Sequence, residues 1–250
     1  MNKELFIKKT ITDLKLELES PDQRIIALFQ IVDKIPKNIN ELFEELRIIT
    51  DTLYPTLEKE LTIEEYCKLC LLDKITKESL KEIGIVNPKV ILVVNSEISI
   101  NLNDTESKII KNFSRNILEL CEIKKQLEEE AIKLAEKNYP NFCYVAGTKI
   151  ACQMLVIAGS ISRISRMPSS TIQLLGAEKS LFKAIKLNSK KTPKYGLLFN
   201  HALIINKNKK DKGRLARFLA AKITLAIKAD IGKIDIREEL KEKITKKIKD

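Results

Sequence analysis

Residues 25–53 read IIALFQIVDKIPKNINELFEELRIITDTL, and apolar side chains recur in this stretch with alternating steps of three and four residues. The apolar positions are Ile25, Leu28, Val32, Ile35, Ile39, Leu42, Leu46, Ile49 and Leu53. A seam of this period is typical of a coiled-coil helix. The preceding Ser20-Pro21-Asp22 predicts where the helix starts, and Pro36 predicts a kink or a break because proline removes a backbone donor.

A second seam of the same period begins about fifty residues after the first one ends. Its positions are Ile110, Phe113, Ile117, Leu120, Lys124, Leu127, Ala131 and Leu134, with Ile123 as an apolar substitute for Lys124. Two seams of similar length, joined by a tip at about residues 58–105, predict an antiparallel coiled-coil hairpin, which we call the arm. The alternative is a compact bundle with short heptads. Within the tip, the β-branched run from Val90 to Val94 is a candidate strand.

Composition favours an all-α fold. The 250 residues include only 7 Gly and 7 Pro, whereas a β-sandwich needs many turns. Beyond the arm, the sequence predicts helices at about residues 145–166, 169–186 and 212–229. Pro168-Ser169-Ser170-Thr171 is the predicted N-terminal cap of the second of these helices. The charged tail, residues 236–250, is expected to fray.

Charge is distributed unevenly along the chain, whose net charge is +11. Residues 1–144 carry 21 Lys and Arg against 26 Asp and Glu, whereas residues 145–235 carry 18 against 4, a net charge of +14. A folded segment with this imbalance repels itself, and a polyanionic partner is the usual reason to tolerate the repulsion. The pattern therefore favours a nucleic-acid-binding protein.

Several function classes lack support in the sequence. With a single histidine and no Gly-x-Ser-x-Gly or glycine-rich phosphate loop, an enzyme is not expected. The lone Cys67-x-x-Cys70 motif has no second motif to complete a zinc site, so we expect no metal and no cofactor. The N-terminus has no secretory signal and no apolar run is long enough to span a bilayer, so an intracellular protein without a membrane partner is expected.

Residues 157–186, IAGSISRISRMPSSTIQLLGAEKSLFKAIK, carry a family signature. The string Gly176-Ala177-Glu178-Lys179, preceded by residues 167–173, resembles the hallmark of the Nop domain of box C/D ribonucleoprotein scaffold proteins. The blocks at residues 192–199 (TPKYGLLF) and 212–222 (KGRLARFLAAK) follow in the family's order. With the arm included, the resemblance covers about residues 20–230.

The resemblance implies an all-helical, RNA-binding scaffold. Nop domains bind a kink-turn RNA that is already held by a small ribosomal-type protein, in particles that guide ribose 2′-O-methylation of rRNA; a spliceosomal relative binds a small nuclear RNA in the same manner. Residues 178–179 and 213–217 are more similar to the methylation-guide branch. The implied domains are an extension (1–20), the arm (21–140), the Nop domain (141–235) and the charged tail (236–250). The host sets the compartment, which is the cytoplasm in an archaeon and the nucleus or nucleolus in a eukaryote.

One departure from the family concerns partners. Guide-branch members carry a further domain before the arm, and that domain recruits the methyltransferase fibrillarin, whereas only about twenty residues precede the arm here. We therefore expect no direct recruitment of fibrillarin. The arm is expected to pair with itself or with a full-length paralogue, since its seam would otherwise face water. The alternative functions are a protein–protein adaptor that dimerises with such a paralogue, and a splicing-type small nuclear RNA-binding protein.

The candidate RNA-binding residues fall into three groups. The first follows from the family signature, the second consists of cations able to follow a phosphate backbone, and the third consists of side chains able to contact unpaired bases. They are Gly176, Ala177, Glu178 and Lys179; then Lys183, Lys190, Lys191, Lys194, Arg214 and Arg217; then Gln173, Asn200 and His201. In addition, free amides at helix N-termini near residues 169–171 and 212–214 are expected to favour phosphate.

Structural alternatives stand beside some of these assignments. Glu178 and Lys179 could be an ordinary helix-surface arrangement, Gly176 could serve close packing, and His201 could cap or pack within residues 199–205. The recurring alanines at 216, 220, 221, 226 and 229 are better explained by tight helix packing than by binding.

Overall fold

The protein is described by a computed structural model that covers residues 3, 7–11, 20–50, 60–72, 77–85, 87, 90, 103–189 and 192–249. Within these residues all regular structure is helical, which confirms the predicted all-α class. The candidate strand at 90–94 lies almost wholly outside them. The chain divides into a middle unit, residues 31–127, and a basic unit, residues 1–30 and 128–250.

The helices are, in chain order, α1 (Pro21–Thr50), α2 (Ile63–Cys70), α3 (Lys77–Glu82), α4 (Asp104–Asn138), α5 (Pro140–Ala146), α6 (Thr148–Ala158), α7 (Ile161–Arg166), α8 (Ser169–Leu174), α9 (Glu178–Lys186), α10 (Ala202–Ile205), α11 (Lys209–Ile231) and α12 (Arg237–Lys249), with a 3-10 turn at Leu197–Asn200 before α10. Helix α1 begins and α4 ends in the basic unit, and both helices contribute to the core of the middle unit. The start of α1 shares a buried cluster with the end of α4 in the basic unit, and the rest of α1 shares one with the start of α4 in the middle unit, so the two helices run antiparallel as the seams predict.

Helix α1 starts at Pro21, as predicted, and continues through Pro36 without the predicted break. Its buried stripe in the middle unit drifts away from the heptad: Phe43 and Thr50 are buried, whereas Ile49, a predicted seam position, is 44% exposed. A straight helix has 3.6 residues per turn, so a strict 3.5-residue seam drifts around its surface.

Helix α4 shows the same drift. Ile110 and Ile117 are buried as predicted, and Ser114 shares their face. Ile123 is 46% exposed, so the expectation that it replaces Lys124 in the seam is wrong. Cys121, three residues before Lys124, packs against the buried cluster instead.

Helix α2 folds onto the hairpin within the middle unit. A capping box fixes its start, since the Glu65 amide donates to the Thr62 hydroxyl and the Thr62 amide donates to the Glu65 carboxylate. Tyr66 shares a 2.6 Å hydrogen bond with Thr50 of α1 and meets the Phe43 ring edge-on at 5.3 Å. Several seam residues, Ile35, Ile39 and Leu46 among them, lie in one buried cluster with residues of this helix, so part of the seam is buried within the chain itself.

The tip cysteines are core residues. Cys67 and Cys70 are buried, and burial raises the pKa of each thiol to about 12. A thiol with so high a pKa is not ionised at neutral pH and is a poor nucleophile or metal ligand.

In the basic unit, two of the predicted helices are each interrupted at positions that the sequence analysis did not predict. The single helix predicted over 145–166 is divided into α5, α6 and α7 at Gly147 and Gly159, and the one predicted over 169–186 is divided into α8 and α9 at Gly176. These glycines have φ values of 79°, 86° and 88°, a left-handed backbone that costs other residues energy and ends a right-handed helix. Helix α11 extends slightly beyond the predicted 212–229.

Helix α11 is the central helix of the basic unit and contacts α5, α7, α8 and α10. Its buried face is lined by small and branched side chains, among them Ala216, Ala220, Ala226 and Ala229, as the packing interpretation predicts, while Ala221 is exposed. Helix α12, expected to fray, is formed and holds Leu240 at 1% exposure in the same core.

No single helix within the described residues is both long and apolar enough to cross a membrane. Helices α5 and α6 reach that length and hydropathy only together, and they meet at 108° at Gly147. Most of their apolar side chains lie in the core of the basic unit.

Two carboxylates from long helices cap the short helices of this unit. Asp230 of α11 accepts hydrogen bonds from the amides of Asn141 (3.0 Å) and Phe142 (2.8 Å), the first turn of α5. Asp22 of α1 accepts from the amide of Ile161 (3.0 Å), the first residue of α7, and from the Tyr139 hydroxyl. Burial raises the pKa of Asp230 above its ordinary value, although the amide bonds oppose that rise.

Replacing Asp230 by alanine should lower the free energy of unfolding by about 3 kcal/mol, because it leaves two amides and the Asn141 side chain without their acceptor in a buried place. Asp230→Asn, which keeps one carbonyl oxygen, should cost less. Urea denaturation followed by circular dichroism measures both. The exposed Asp235→Ala is the control, and an equal shift of the urea midpoint in D230A and D235A would contradict this assignment.

Candidate nucleic-acid-binding surface

The predicted RNA-binding residues lie on three neighbouring parts of the basic unit. Residues 173–183 span the end of α8, the turn and α9; residues 194–201 form the loop and the 3-10 turn; Arg214 and Arg217 lie on α11. The 3-10 turn contacts α8 and α11, and α8 packs along α11, so the loop and the two helices share one region. Lys190 and Lys191 lie outside the described residues.

A backbone junction joins the loop to the α8–α9 turn. The amide of Gly196 donates to the carbonyl of Gln173 at 2.9 Å, and the amide of Leu197 donates to the carbonyl of Leu175 at 2.8 Å. The side-chain amide of Gln173 donates to the carbonyl of Lys194 at 2.6 Å. This third bond means that the Gln173 amide nitrogen holds the loop in place, while the predicted contact of this side chain with a base stays a prediction.

Two glycines allow the segments to approach so closely. A Cβ on Gly196 would lie 2.0 Å from the carbonyl oxygen of Leu175, and a Cβ on Gly176 would lie 2.9 Å from Cγ of Leu197. Gly176 also has the left-handed φ of 88°. Gly176 therefore allows close packing against Leu197, which is the structural alternative given for this glycine.

An aromatic and cationic cluster lies on the loop side of the junction. Tyr195 and Phe199 stack with ring centroids 5.1 Å apart, and Nζ of Lys212 lies 4.7 Å from the Phe199 centroid. The same ammonium donates to the carbonyl of Ile205 at 2.9 Å, at the end of α10. None of these three side chains was predicted as a site residue, although the Tyr-x-x-x-Phe spacing was visible in the sequence.

His201 has an internal role, which corrects its assignment as a base-contacting residue. The ring is 9% exposed; Nδ1 accepts from the amide of Leu203 at 3.2 Å and caps α10, and Nε2 lies 3.1 Å from the carbonyl of Val145. Both ring nitrogens are engaged within the protein, so neither is available to a base. The neighbouring Asn200 is exposed.

Two of the amides that were expected to be free at helix N-termini, those of Thr171 and Lys212, are bonded within the protein. Helix α8 has only six residues, and the amide of Thr171 donates to the carbonyl of Pro168 at 2.9 Å. Helix α11 begins at Lys209, so Lys212 is already inside it and its amide donates to the carbonyl of Asn208 at 3.1 Å. The Lys212 amide is therefore not free to bind an anion.

Exposed cations surround the junction. They are Lys179 and Lys183 on α9, Lys194 on the loop, and Arg214 and Arg217 on α11. The guanidinium of Arg214 forms an exposed ion pair with Asp211 at 3.2 Å. Exposed pairs of this kind contribute little free energy, so the pair restrains Arg214 only weakly. Two further exposed arginines, Arg163 and Arg166 on α7, were missed, although their spacing of one helical turn in ISRISR was a visible signal.

Ala177 is the last residue of the turn between α8 and α9, and Glu178 is the first residue of α9. The amide of Ala177 donates to the carbonyl of Leu174 at 2.9 Å. One carboxylate oxygen of Glu178 accepts from the amide of Gly176 at 2.7 Å.

Comparison with known proteins gives a consistent result. The family model Nop, described as "snoRNA binding domain, fibrillarin", matches residues 31–250. An uncharacterized NOP5 family protein of Methanocaldococcus jannaschii is 30% identical over 244 residues, covering 95% of this chain and 59% of that protein. Nucleolar protein 56 of Dictyostelium discoideum is 31% identical over 229 residues, covering 87% of this chain and 42% of that protein.

A solved structure is similar as well. The crystal structure of a fibrillarin/Nop5p complex contains a chain that aligns with a TM-score of 0.57 and 26% identity, over 98% of this chain and 78% of that one. The chain studied here spans between 42 and 59% of the length of the two curated relatives.

Gly196→Ala should destabilise the protein by about 3 kcal/mol or more, because the new methyl group would overlap the Leu175 carbonyl oxygen and break the junction. Gly213→Ala is the matched control. Its Cβ would meet Lys194 at an ordinary 3.5 Å inside α11, so it should stabilise by about 0.5–1 kcal/mol. Thermal unfolding of both variants tests whether their unfolding free energies change in opposite directions. An unchanged melting temperature in G196A would show that the junction is not tightly packed.

Acid should weaken the fold through His201. Burial lowers the pKa of this ring below its ordinary 6.5, so the folded protein favours the neutral form. Its contribution is complete above pH 6.5 and is lost as the pH falls from 6.5 through the lower folded-state pKa. Because the chain has one histidine, the difference in unfolding free energy between wild type and His201→Asn isolates this effect. A difference that stays constant between pH 7.5 and pH 5 would contradict it.

Proposed function

The chain belongs to the Nop family, and we propose that it is an RNA-binding scaffold of a box C/D-type small ribonucleoprotein. The observation that carries the proposal is the backbone junction between the α8–α9 turn and the loop at 194–197, which lies among exposed cations in a segment of net charge +14. A rigid turn with cations around it is suited to a folded RNA, whose phosphates occupy fixed positions.

The proposed ligand is a kink-turn RNA in complex with its ribosomal-type primary protein, and the proposed process is guided ribose 2′-O-methylation of rRNA. This finer assignment rests on the resemblance of residues 157–222 and on the names of the relatives, which are NOP5 family and nucleolar proteins. By the same names, we propose the nucleolus as the compartment if the host is a eukaryote, and the cytoplasm if it is an archaeon.

The role is proposed to be non-catalytic. The Nop family is not a known enzyme family. The one histidine of the chain is buried as the cap of α10, so it is not available as an exposed general acid or base.

A protein partner is the second candidate, and α9 favours it. Phe182, Ile185 and Leu187 are 67%, 58% and 66% exposed on or just after this short helix. Bulky apolar side chains in one place are typical of contact surfaces. An adaptor role would use this patch and would require little RNA contact.

The expectations on named protein partners stay predictions. The solved relative is a complex with fibrillarin, so purified fibrillarin is the first partner to test by pull-down. Pairing of the arm with itself or with a longer paralogue also stays a prediction, although part of the seam is buried within the chain, and sedimentation of the whole chain would test it.

Binding to a kink-turn RNA should be weak for the chain alone and much tighter when the primary kink-turn protein is present. Fluorescence polarisation at several salt concentrations measures both states. Lys183→Ala, Lys194→Ala, Arg214→Ala and Arg217→Ala should each weaken binding and lower the salt slope by up to about one unit, as should changes at Lys190 and Lys191.

Lys228→Ala is the control for these variants, because this exposed lysine lies four turns beyond Arg214 on the same helix. Equal affinity with and without the primary protein would show that recognition is not composite. An unchanged salt slope in every variant would show that RNA binds at a different surface. Tight binding to protein partners without RNA would favour the adaptor role.

A further inference from the structure

The few acids of the basic segment have structural partners. Only four lie among residues 145–235: Glu178, Asp211, Asp230 and Asp235. Asp230 caps α5, and Asp211 and Asp235 each pair with an arginine. The carboxylate of Glu178 accepts a hydrogen bond from the backbone amide of Gly176 at 2.7 Å.

This contact closes the turn at its most constrained point. Gly176 has a φ of 88°, and its Cα lies against Leu197, whose amide bonds the carbonyl of Leu175. The carboxylate of Glu178 therefore bonds a residue that lies directly against the loop. Since Glu178 is also the first residue of α9, the same bond fixes where this helix starts.

The position of α9 matters for charge, because Lys179 and Lys183 lie on it. The helix has only one buried side chain, Ala184, so packing alone determines its direction weakly. A hydrogen bond at its first residue has correspondingly more influence on where its lysines lie.

Electrostatics argue against a direct contact between Glu178 and RNA. A carboxylate repels phosphate, so its removal from a plain surface position should leave RNA affinity unchanged or raise it. An acid at this position is explained if the bond that it makes outweighs the repulsion.

We propose that Glu178 is a positioning residue for the RNA-binding surface, acting through its hydrogen bond to the Gly176 amide to hold the α8–α9 turn, and not a residue that contacts RNA. This inference rests on the proposed RNA-binding function. It concerns the acceptor oxygen of Glu178 rather than its charge, and the two can be separated by substitution.

Glu178→Gln and Glu178→Ala remove the same charge, but only glutamine keeps an oxygen that can accept from Gly176. E178A should bind kink-turn RNA, with its primary protein present, about fivefold more weakly than E178Q, as expected for one lost hydrogen bond. E178Q should bind at least as tightly as wild type. Glu242→Ala and Glu242→Gln, at an exposed acid of α12, are the matched pair and should not differ from each other.

A measurement without RNA tests the contact itself. The chain has seven glycines, and Leu175-Gly176 is its one Leu-Gly pair. Labelling with carbonyl-¹³C leucine and ¹⁵N glycine therefore isolates the Gly176 amide in a two-dimensional NMR spectrum. Its hydrogen exchange should be slow in wild type and E178Q and fast in E178A.

The outcomes separate the two proposals. If E178A binds RNA as well as E178Q does, or more tightly because the Gly176 amide becomes available to phosphate, the positioning role is wrong. Fast exchange of Gly176 in wild type also overturns it. If wild type with the primary protein binds no kink-turn RNA, the proposed function is wrong, and so is the role of Glu178 in RNA binding. The NMR result still decides whether Glu178 holds the turn.

Discussion

The basic unit depends on buried carboxylates that bond the amides of short helices. Helices of six or seven residues, such as α5 and α7, leave most of their first amides without an internal acceptor, and they are too short to be stable alone. Asp230 and Asp22 supply the missing acceptors from α11 and α1, two helices long enough to be held by their own packing. Each carboxylate joins elements far apart in sequence, so the short helices are ordered only when the long ones are in place.

The same need for acceptors and donors engages two polar side chains of the candidate surface within the protein. Gln173 and His201 have side chains that can read a base, but in this fold each bonds a backbone group of another segment. Residues 192–201 form a loop with little regular structure, and such a loop must bond its backbone groups to its surroundings. A polar side chain beside such a loop therefore forms hydrogen bonds within the protein whether or not a ligand is bound.

The sequence predicts the long elements well, since α1, α4 and α11 each repeat an apolar pattern over many turns. It predicts poorly where tertiary contacts decide. The breaks at Gly147, Gly159 and Gly176 coincide with a left-handed backbone at each glycine, and apolar periodicity carries no sign of it. The exposed cations could be predicted because charge is visible in composition, whereas the roles of Gln173 and His201 could not, because their partners lie 21 and 56 residues away.

Charge and shape are thus supplied by different residues on this surface. Lysines and arginines attract a polyanion over a distance comparable with the Debye length, whatever its detailed fold. The glycines and the bonded backbone of the junction attract nothing, but they fix where those charges lie. A change in the first set should alter affinity and salt dependence in small, separable steps. A change in the second set acts on several charges at once, because Lys179, Lys183 and Lys194 are carried by the segments that the junction holds together.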